Sequence, residues 1–281
     1  MDIKRILNDL KTIIEQRHLS PQTDDSYASG LKTFCQYFPE VHHPTHVSKE
    51  QIIRFLAWVG VNCSLSKELQ CFWALHFLYE NIEGQPHKMD GVKKPKIVHK
   101  IPQVKSHQEV MEAFNKITNP HEKAIVGMFY STGIRIGELC KIERHNIDPV
   151  RKTLLICQGK GGKDNLVPLN NYTINLLIRH WEALPTTHRQ KTQRWLFVGE
   201  NPNNYISKAT VRRIVRRTLD VNPHLLRHCL GTYLHEKGVP LKAIADLFQH
   251  SSTRTTEIYT HTSMEYKRRL PNPMDEMKLL V

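Results

Sequence analysis

Apolar residues recur at helical spacing through almost the whole chain, and the period changes once, between Thr153 and Leu169. That single change restricts the fold to helices around one small sheet, because a stretch patterned at about 3.6 residues cannot present one clean face as a strand. Thr153, Leu154, Leu155, Ile156 and Cys157 form a β-prone run, Gly159-Lys160-Gly161-Gly162 makes a turn, and Asn165, Leu166 and Val167 lead into Pro168. The expected element is a hairpin with Lys160 at its tip.

The rest reads as helix. Ile3, Ile6, Leu7, Leu10, Ile13 and Ile14 share a face, and Ser20-Pro21 caps a second helix with Tyr27, Leu31, Phe34, Cys35 and Phe38 inward. Ser48 to Gln51 is a capping box before Ile52, Phe55, Leu56 and Val59. A fourth helix starts near Ser66 and turns Leu69, Phe72, Trp73, Phe77 and Leu78 inward. Residues 1–85 are therefore expected to form an all-α domain. Pro86, Gly91, Pro95 and Pro102 then break any regular element, and Lys88, Lys93, Lys94, Lys96, Lys100 and Lys105 face only Asp90. This stretch, 86–105, reads as a basic linker. Ser106 to Glu109, a second capping box, opens an α+β domain over 106–281. Its helices are expected near 107–114, 122–129, 171–183, 207–219, 224–237, 240–248 and 253–264.

Charge points to the partner. Lys and Arg total 40 against 27 acidic residues, a formal net charge of +13, which suits a polyanion such as nucleic acid. Lys208, Arg212, Arg213, Arg216 and Arg217 fall in ten residues with no acid among them. Arg212/Arg216 and Arg213/Arg217 are like-charge i,i+4 pairs that weaken an isolated helix, so an anion across that helix is the expected compensation. No stretch approaches the roughly 18 apolar residues of a membrane span. The N-terminus lacks a secretory apolar run, and six scattered cysteines form no CxxC pair. A cytoplasmic protein with reduced thiols is expected.

Several residues carry chemistry. At about 100° per residue, His224, Arg227, His228 and Gly231 share one helix face, with Leu226, Leu230, Tyr233 and Leu234 opposite on the core side. Arg135 follows Gly133, and Glu138 stands three residues on to orient it. Lys160 sits among glycines, where a backbone can approach a phosphate. The GxxxxGK[ST] spacing of a nucleotide loop is absent. His250 precedes a helix bearing Tyr259, whose hydroxyl, with an ordinary pKa near 10, needs nearby cations and a base to act as a nucleophile.

Taken in order, TGIRIGEL around Arg135, QGKGGK around Lys160, HLLRH with His224 and Arg227, and LFQHSSTRTTEIYTH with His250 and Tyr259 resemble the tyrosine recombinase (phage integrase) family, in a two-domain Xer-like form. The resemblance covers nearly the whole chain. Tyr259 follows His250 by nine residues, as the family's nucleophile follows its last histidine. One departure stands out: Gln249 precedes His250 where many members have glycine.

The resemblance implies a fold that is mostly α with a small β-hairpin or sheet, built from a SAM-like core-binding domain and an α+β catalytic domain. It implies a site-specific recombinase whose Tyr259 attacks a scissile phosphate and forms a 3′-phosphotyrosyl bond. Arg135 and Arg227 would hold the non-bridging oxygens, Lys160 would protonate the leaving 5′-oxygen, His224 would accept the tyrosine proton, and His250 would donate to the phosphate. No metal or nucleotide cofactor is expected, because the phosphotyrosine keeps the energy of the broken diester. Partners would be duplex DNA with inverted-repeat core sites and a homotetramer on paired sites. Met274, Met277, Leu280 and Val281 form an apolar strip suited to docking, so residues 274–281 would pass between protomers. With no arm-binding domain before residue 1, a simple core-site recombinase is expected.

Three rivals differ in chemistry. A type IB topoisomerase shares the phosphotyrosine but resembles this two-domain layout less. A non-catalytic DNA-binding regulator would not need Arg135, Lys160, His224, Arg227, His250 and Tyr259 together. A zinc hydrolase could use the i,i+4 pair His224 and His228, but Leu225 stands where HExxH needs glutamate and Arg227 would repel the cation.

Overall fold

A computed structural model describes residues 1–96, 103–157, 164–191, 194–201, 203–249, 256 and 259. The chain divides into two compact units, Met1–Lys100 and Ile101–Val281. In neither is a described helix long and apolar enough to cross a membrane.

Among the described residues the first unit has four α-helices, α1 (Ile3–Gln16), α2 (Pro21–Tyr37), α3 (Lys49–Asn62) and α4 (Leu65–Phe77), closed by a π turn at Leu78–Ile82. Side-chain caps set their starts. Asp2 accepts from the Lys4 and Arg5 amides, Ser20 from Thr23, and Ser64 from Lys67. Ser48 and Gln51 form the expected reciprocal box. The inward faces of α1 to α3 follow the reading, with Ile6, Leu10, Leu31, Phe34, Ile52, Phe55 and Val59 fully buried. One residue departs from it. Trp73, expected in the core, is 40% exposed, and the Lys94 ammonium lies 5.2 Å over its ring, while Cys71, Phe72, Ala74 and Leu75 take the buried face of α4. Within 86–105, the short turn Pro86–Met89 and Val92 bring Met89 and Val92 against this same core. Lys88 donates to the Thr45 and Val47 carbonyls at 2.6 and 2.7 Å.

The second unit contains α5 (His107–Asn115), α6 (Pro120–Thr132), α7 (Ile136–Cys140), α8 (Asn171–Ala183), α9 (Thr186–Lys191), α10 (Lys208–Leu219), α11 (Pro223–Glu236) and α12 (Leu241–Leu247). Its sheet has three antiparallel strands in the order β1 (Ile147–Asp148), β2 (Thr153–Ile156), β3 (Asn165–Pro168). The expected hairpin is there, with Leu154 opposite Val167 and Leu155 opposite Leu166. Leu154 and Val167 enter the core while Leu155 and Leu166 face outward, the period-2 alternation of a half-buried sheet. The hairpin tip, Lys160 included, lies outside the described residues. Helix α6 packs on α8 and on α11, and this central layer positions the site.

Beside that layer sits a buried imidazole pair. His180 Nε2 lies 3.1 Å from the Leu196 carbonyl and must donate to it, so its Nδ1 accepts from His121 Nδ1 at 3.4 Å. Burial, then the neighbouring His180, pushes the His121 pKa down to about 4. An unfolded histidine binds its proton nearer 6.5, so the unfolded chain takes up protons first as pH falls. The second unit is therefore expected to lose roughly 3 kcal/mol of stability between pH 6.5 and 4. Urea unfolding across that range measures the slope. His121→Gln should flatten it, and an unchanged slope would place its origin elsewhere.

Candidate active site

Arg135 is set by backbone geometry. Helix α6 ends at Gly133 in the left-handed region, with φ at 62°, and a side chain there would overlap the Phe248 ring. The chain turns into Arg135, just before α7. Glu138, one turn on, accepts the Arg135 amide through Oε2 at 2.7 Å and its guanidinium through Oε1 at 2.8 Å. Glu138 thus holds Arg135 by two contacts. The other guanidinium edge points at the turn after α12. Its Nη2 donates to the carbonyls of Phe248 and Gln249 at 3.3 and 3.0 Å, and Nη1 to Gln249 Oε1 at 3.4 Å.

Helix α11 carries the second arginine. It opens on Asn222, whose side chain accepts the Leu225 amide, with proline at its first position. The helical spacing puts Arg227 on the face opposite the core, yet it is only 7% exposed. Both faces of α11 are covered, because α12 and the turn beyond it close over the arginine side. Arg227 donates to the carbonyls of Gly133 and Phe248, and its guanidinium lies 4.3 Å over the Phe248 ring. Burial and the nearby Arg135 push its pKa down to about 10, which leaves it cationic at neutral pH.

His224 stands one turn before Arg227, at the exposed rim of the same face. Partial burial of its ring, then Arg227, Arg212 and Arg135, hold its pKa below the ordinary histidine value. At neutral pH it is an unprotonated base beside two guanidiniums. Ile134, Arg135, Ile136, Pro223, His224 and Arg227 line one cavity of about 10 Å³. That is room for about one water and not for a phosphate.

Tyr259 packs against α11 a turn beyond Arg227. Its ring packs on Gly231, where any Cβ would overlap it, with the His228 and Phe248 rings at 5.8 and 6.0 Å. The residue is 1% exposed. Burial raises its pKa to about 12, against an opposing pull from Arg227. The structure thus brings Arg135, Glu138, His224, Arg227 and Tyr259 into one neighbourhood. Lys160, His250 and the tail 274–281 fall outside the described residues.

The basic helix matches its reading closely. Val211, Ile214, Val215 and Leu219 are buried, and Arg212, Arg213, Arg216 and Arg217 are exposed. Arg217, however, pairs with Glu122, and that contact relieves part of the like-charge repulsion within the chain. Lys208 is half-buried and Lys93, Lys94 and Lys96 are exposed. Two parts of the site were not foreseen: the Phe248 and Gln249 carbonyls that occupy both arginines, and the Gly231 slot for the tyrosine ring. The one sequence signal for the first was Gln249 itself, and for the second the placing of Gly231 on the Arg227 face.

The chain is similar to known proteins. Residues 104–266 match the phage integrase family, and residues 6–89 match the phage integrase N-terminal SAM-like domain. The tyrosine recombinase XerA of Thermococcus kodakarensis is 26% identical over 273 residues, spanning 94% of this chain and 93% of that protein. Among solved structures, the XerH site-specific recombinase bound to palindromic difH substrate in a post-cleavage complex aligns with a TM-score of 0.70 at 21% identity, covering 93% of this chain and 83% of that one. A lambda integrase tetramer bound to a Holliday junction aligns at 0.70 and 16% identity, covering 89% and 77%. With matches to both units, and the integrase match alone running over more than half its length, the chain belongs to the phage integrase family of tyrosine recombinases.

Proposed function

We infer that this protein is a site-specific DNA recombinase that cleaves and rejoins strands through a phosphotyrosine at Tyr259. The observation that carries the residue assignment is the cluster against α11: the Arg135 and Arg227 guanidiniums and a neutral His224 imidazole line one cavity, and the phenol lies over Gly231, one helical turn from Arg227.

The chemistry follows from these groups. The Tyr259 hydroxyl attacks phosphorus, its proton passes to His224, and the bond from phosphorus to the 5′-oxygen breaks. Lys160 protonates that leaving oxygen. Arg135 and Arg227 hold the non-bridging oxygens, where planar forks stabilise the charge of the transition state, and His250 donates to the same phosphate. A 5′-hydroxyl from another strand then attacks the phosphotyrosine and frees the enzyme. The ester keeps the energy of the diester, so neither metal nor nucleotide is required.

Residues 1–85, with 86–92 packed on the same core, act as the core-binding domain, the remainder of 86–105 as a basic linker and 106–281 as the catalytic domain. Lys208, Arg212, Arg213 and Arg216 contact the phosphate backbone, with Lys93, Lys94 and Lys96 from the linker; Arg217 does so by exchanging Glu122 for phosphate. The working assembly is a homotetramer on paired inverted-repeat sites, with residues 274–281 exchanged between protomers. The lambda integrase tetramer on a Holliday junction supports the tetramer. Its place of action is the cytoplasm, wherever the target DNA lies, in keeping with six free cysteines.

Covalent capture tests the reading. The protein incubated with genomic fragments, then with a nicked duplex carrying the recovered site, should yield a denaturant-resistant adduct. Chelator should leave the yield unchanged, and peptide mapping should place the nucleotide on Tyr259. An adduct on another residue would overturn the assignment, and a DNA-binding protein that formed none on its own site would be a regulator.

A further inference from the structure

The turn after α12 carries a side chain in an unfavourable setting. Gln249 has a backbone φ of 50°, in the left-handed region that costs a residue with a Cβ about 1 kcal/mol and glycine nothing. Its amide is also incompletely satisfied. Oε1 accepts from Arg135 Nη1 at 3.4 Å, while Nε2 is buried and has no hydrogen-bond partner among the described residues. The orientation is fixed by chemistry: a guanidinium only donates, so the atom facing Arg135 is the oxygen and the NH₂ points away from it. A strained backbone and an orphaned buried donor at one residue are two costs that nothing among the described residues relieves.

Both costs fall at the edge of the arginine cluster. The Gln249 carbonyl accepts from Arg135 Nη2 at 3.0 Å, in a position that a phosphate oxygen has to take. We propose that Gln249 is a substrate-contacting residue, whose Nε2 donates to a non-bridging oxygen of the scissile phosphate when that phosphate displaces the turn carbonyls from Arg135. The amide then shares the anion with the guanidinium that holds its Oε1. This proposal rests on the recombinase reading above and adds to it a neutral donor beside the two arginines.

Single-turnover cleavage of the nicked duplex at saturating DNA tests it. Gln249→Gly removes the donor and relieves the strained φ, so the variant should melt no lower than wild type yet cleave about tenfold to a hundredfold more slowly. Gln249→Glu, of the same shape, sets a carboxylate against the phosphate and should be slower still. Sulphur in place of one non-bridging oxygen separates contact from architecture. The wild type should be slowed more than Gln249→Gly by sulphur at the contacted oxygen, and both equally by sulphur at the other. Cleavage by Gln249→Gly within twofold of wild type, or identical responses to both sulphur positions, would overturn the contact. A wild type that formed no adduct would overturn the recombinase reading itself, which is a different result.

Discussion

Tyr259→Phe is expected to form no covalent adduct and exchange no strands, while folding and binding DNA as the wild type does. The ring stays in its slot over Gly231, and loss of one hydroxyl should change the stability of the second unit by no more than about 1.5 kcal/mol. The chemical loss is complete, because the phenylalanine ring carries no oxygen to form the ester. The resting state also explains why the phenol is harmless without DNA. With its pKa raised to about 12 by burial, a phenolate is present at about one part in 10⁵ at pH 7. The cavity between the arginines has room for about one water, and the Phe248 and Gln249 carbonyls occupy the donors a phosphate would use. On the recombinase reading, phosphate entry would displace the same turn that packs against the tyrosine, and Phe248, whose ring touches both Tyr259 and Arg227, would link substrate binding to release of the nucleophile. Denaturing gels and a DNA-binding assay on the variant measure the two halves of this expectation. An adduct that persisted in Tyr259→Phe would remove the phenol from the mechanism.

Local signals were legible in the sequence, and contacts between distant segments were not. The capping boxes at Ser48 and Ser106 hold as read, because each is closed within four residues. The hairpin was readable from its change of period; its partner β1, only two residues long, carries no periodic signal. Glu138 could be assigned to Arg135 because one helical turn joins them. Arg217 and Glu122 are 95 positions apart, and no local pattern encodes that pair. Burial of Arg227 escaped the helical wheel for the same reason. A wheel divides one helix into two faces but does not say that a later turn will cover the polar one. Trp73 fits the apolar pattern of α4 yet faces outward, since Cys71, Ala74 and Leu75 already fill the inward side and the large ring can stack under Lys94.

Arg227→Ala is expected to lower single-turnover cleavage about a thousandfold or more while changing stability little, and the two magnitudes explain why. Holding this guanidinium in place is costly: burial and Arg135 push its pKa down to about 10, a disfavouring of the charged form by roughly 3 kcal/mol. Against that stand its hydrogen bonds to the Gly133 and Phe248 carbonyls, worth about 1.5–3 kcal/mol each for a charged donor, and its stacking on Phe248. Truncation removes both sides of the balance, so the net change should stay within about 2 kcal/mol. Catalysis has no such offset, because the phosphate loses one of two fixed cations at the moment its charge develops. Arg227→Lys separates charge from shape. A lysine supplies a point charge that cannot reach two oxygens in one plane, so cleavage should recover only in part, remaining about a hundredfold slow. Urea unfolding and single-turnover kinetics on the two variants give the numbers. Full activity in Arg227→Lys would mean that charge alone suffices, and a stability loss in Arg227→Ala well beyond 2 kcal/mol would make this arginine a structural keystone rather than a cation retained for the phosphate.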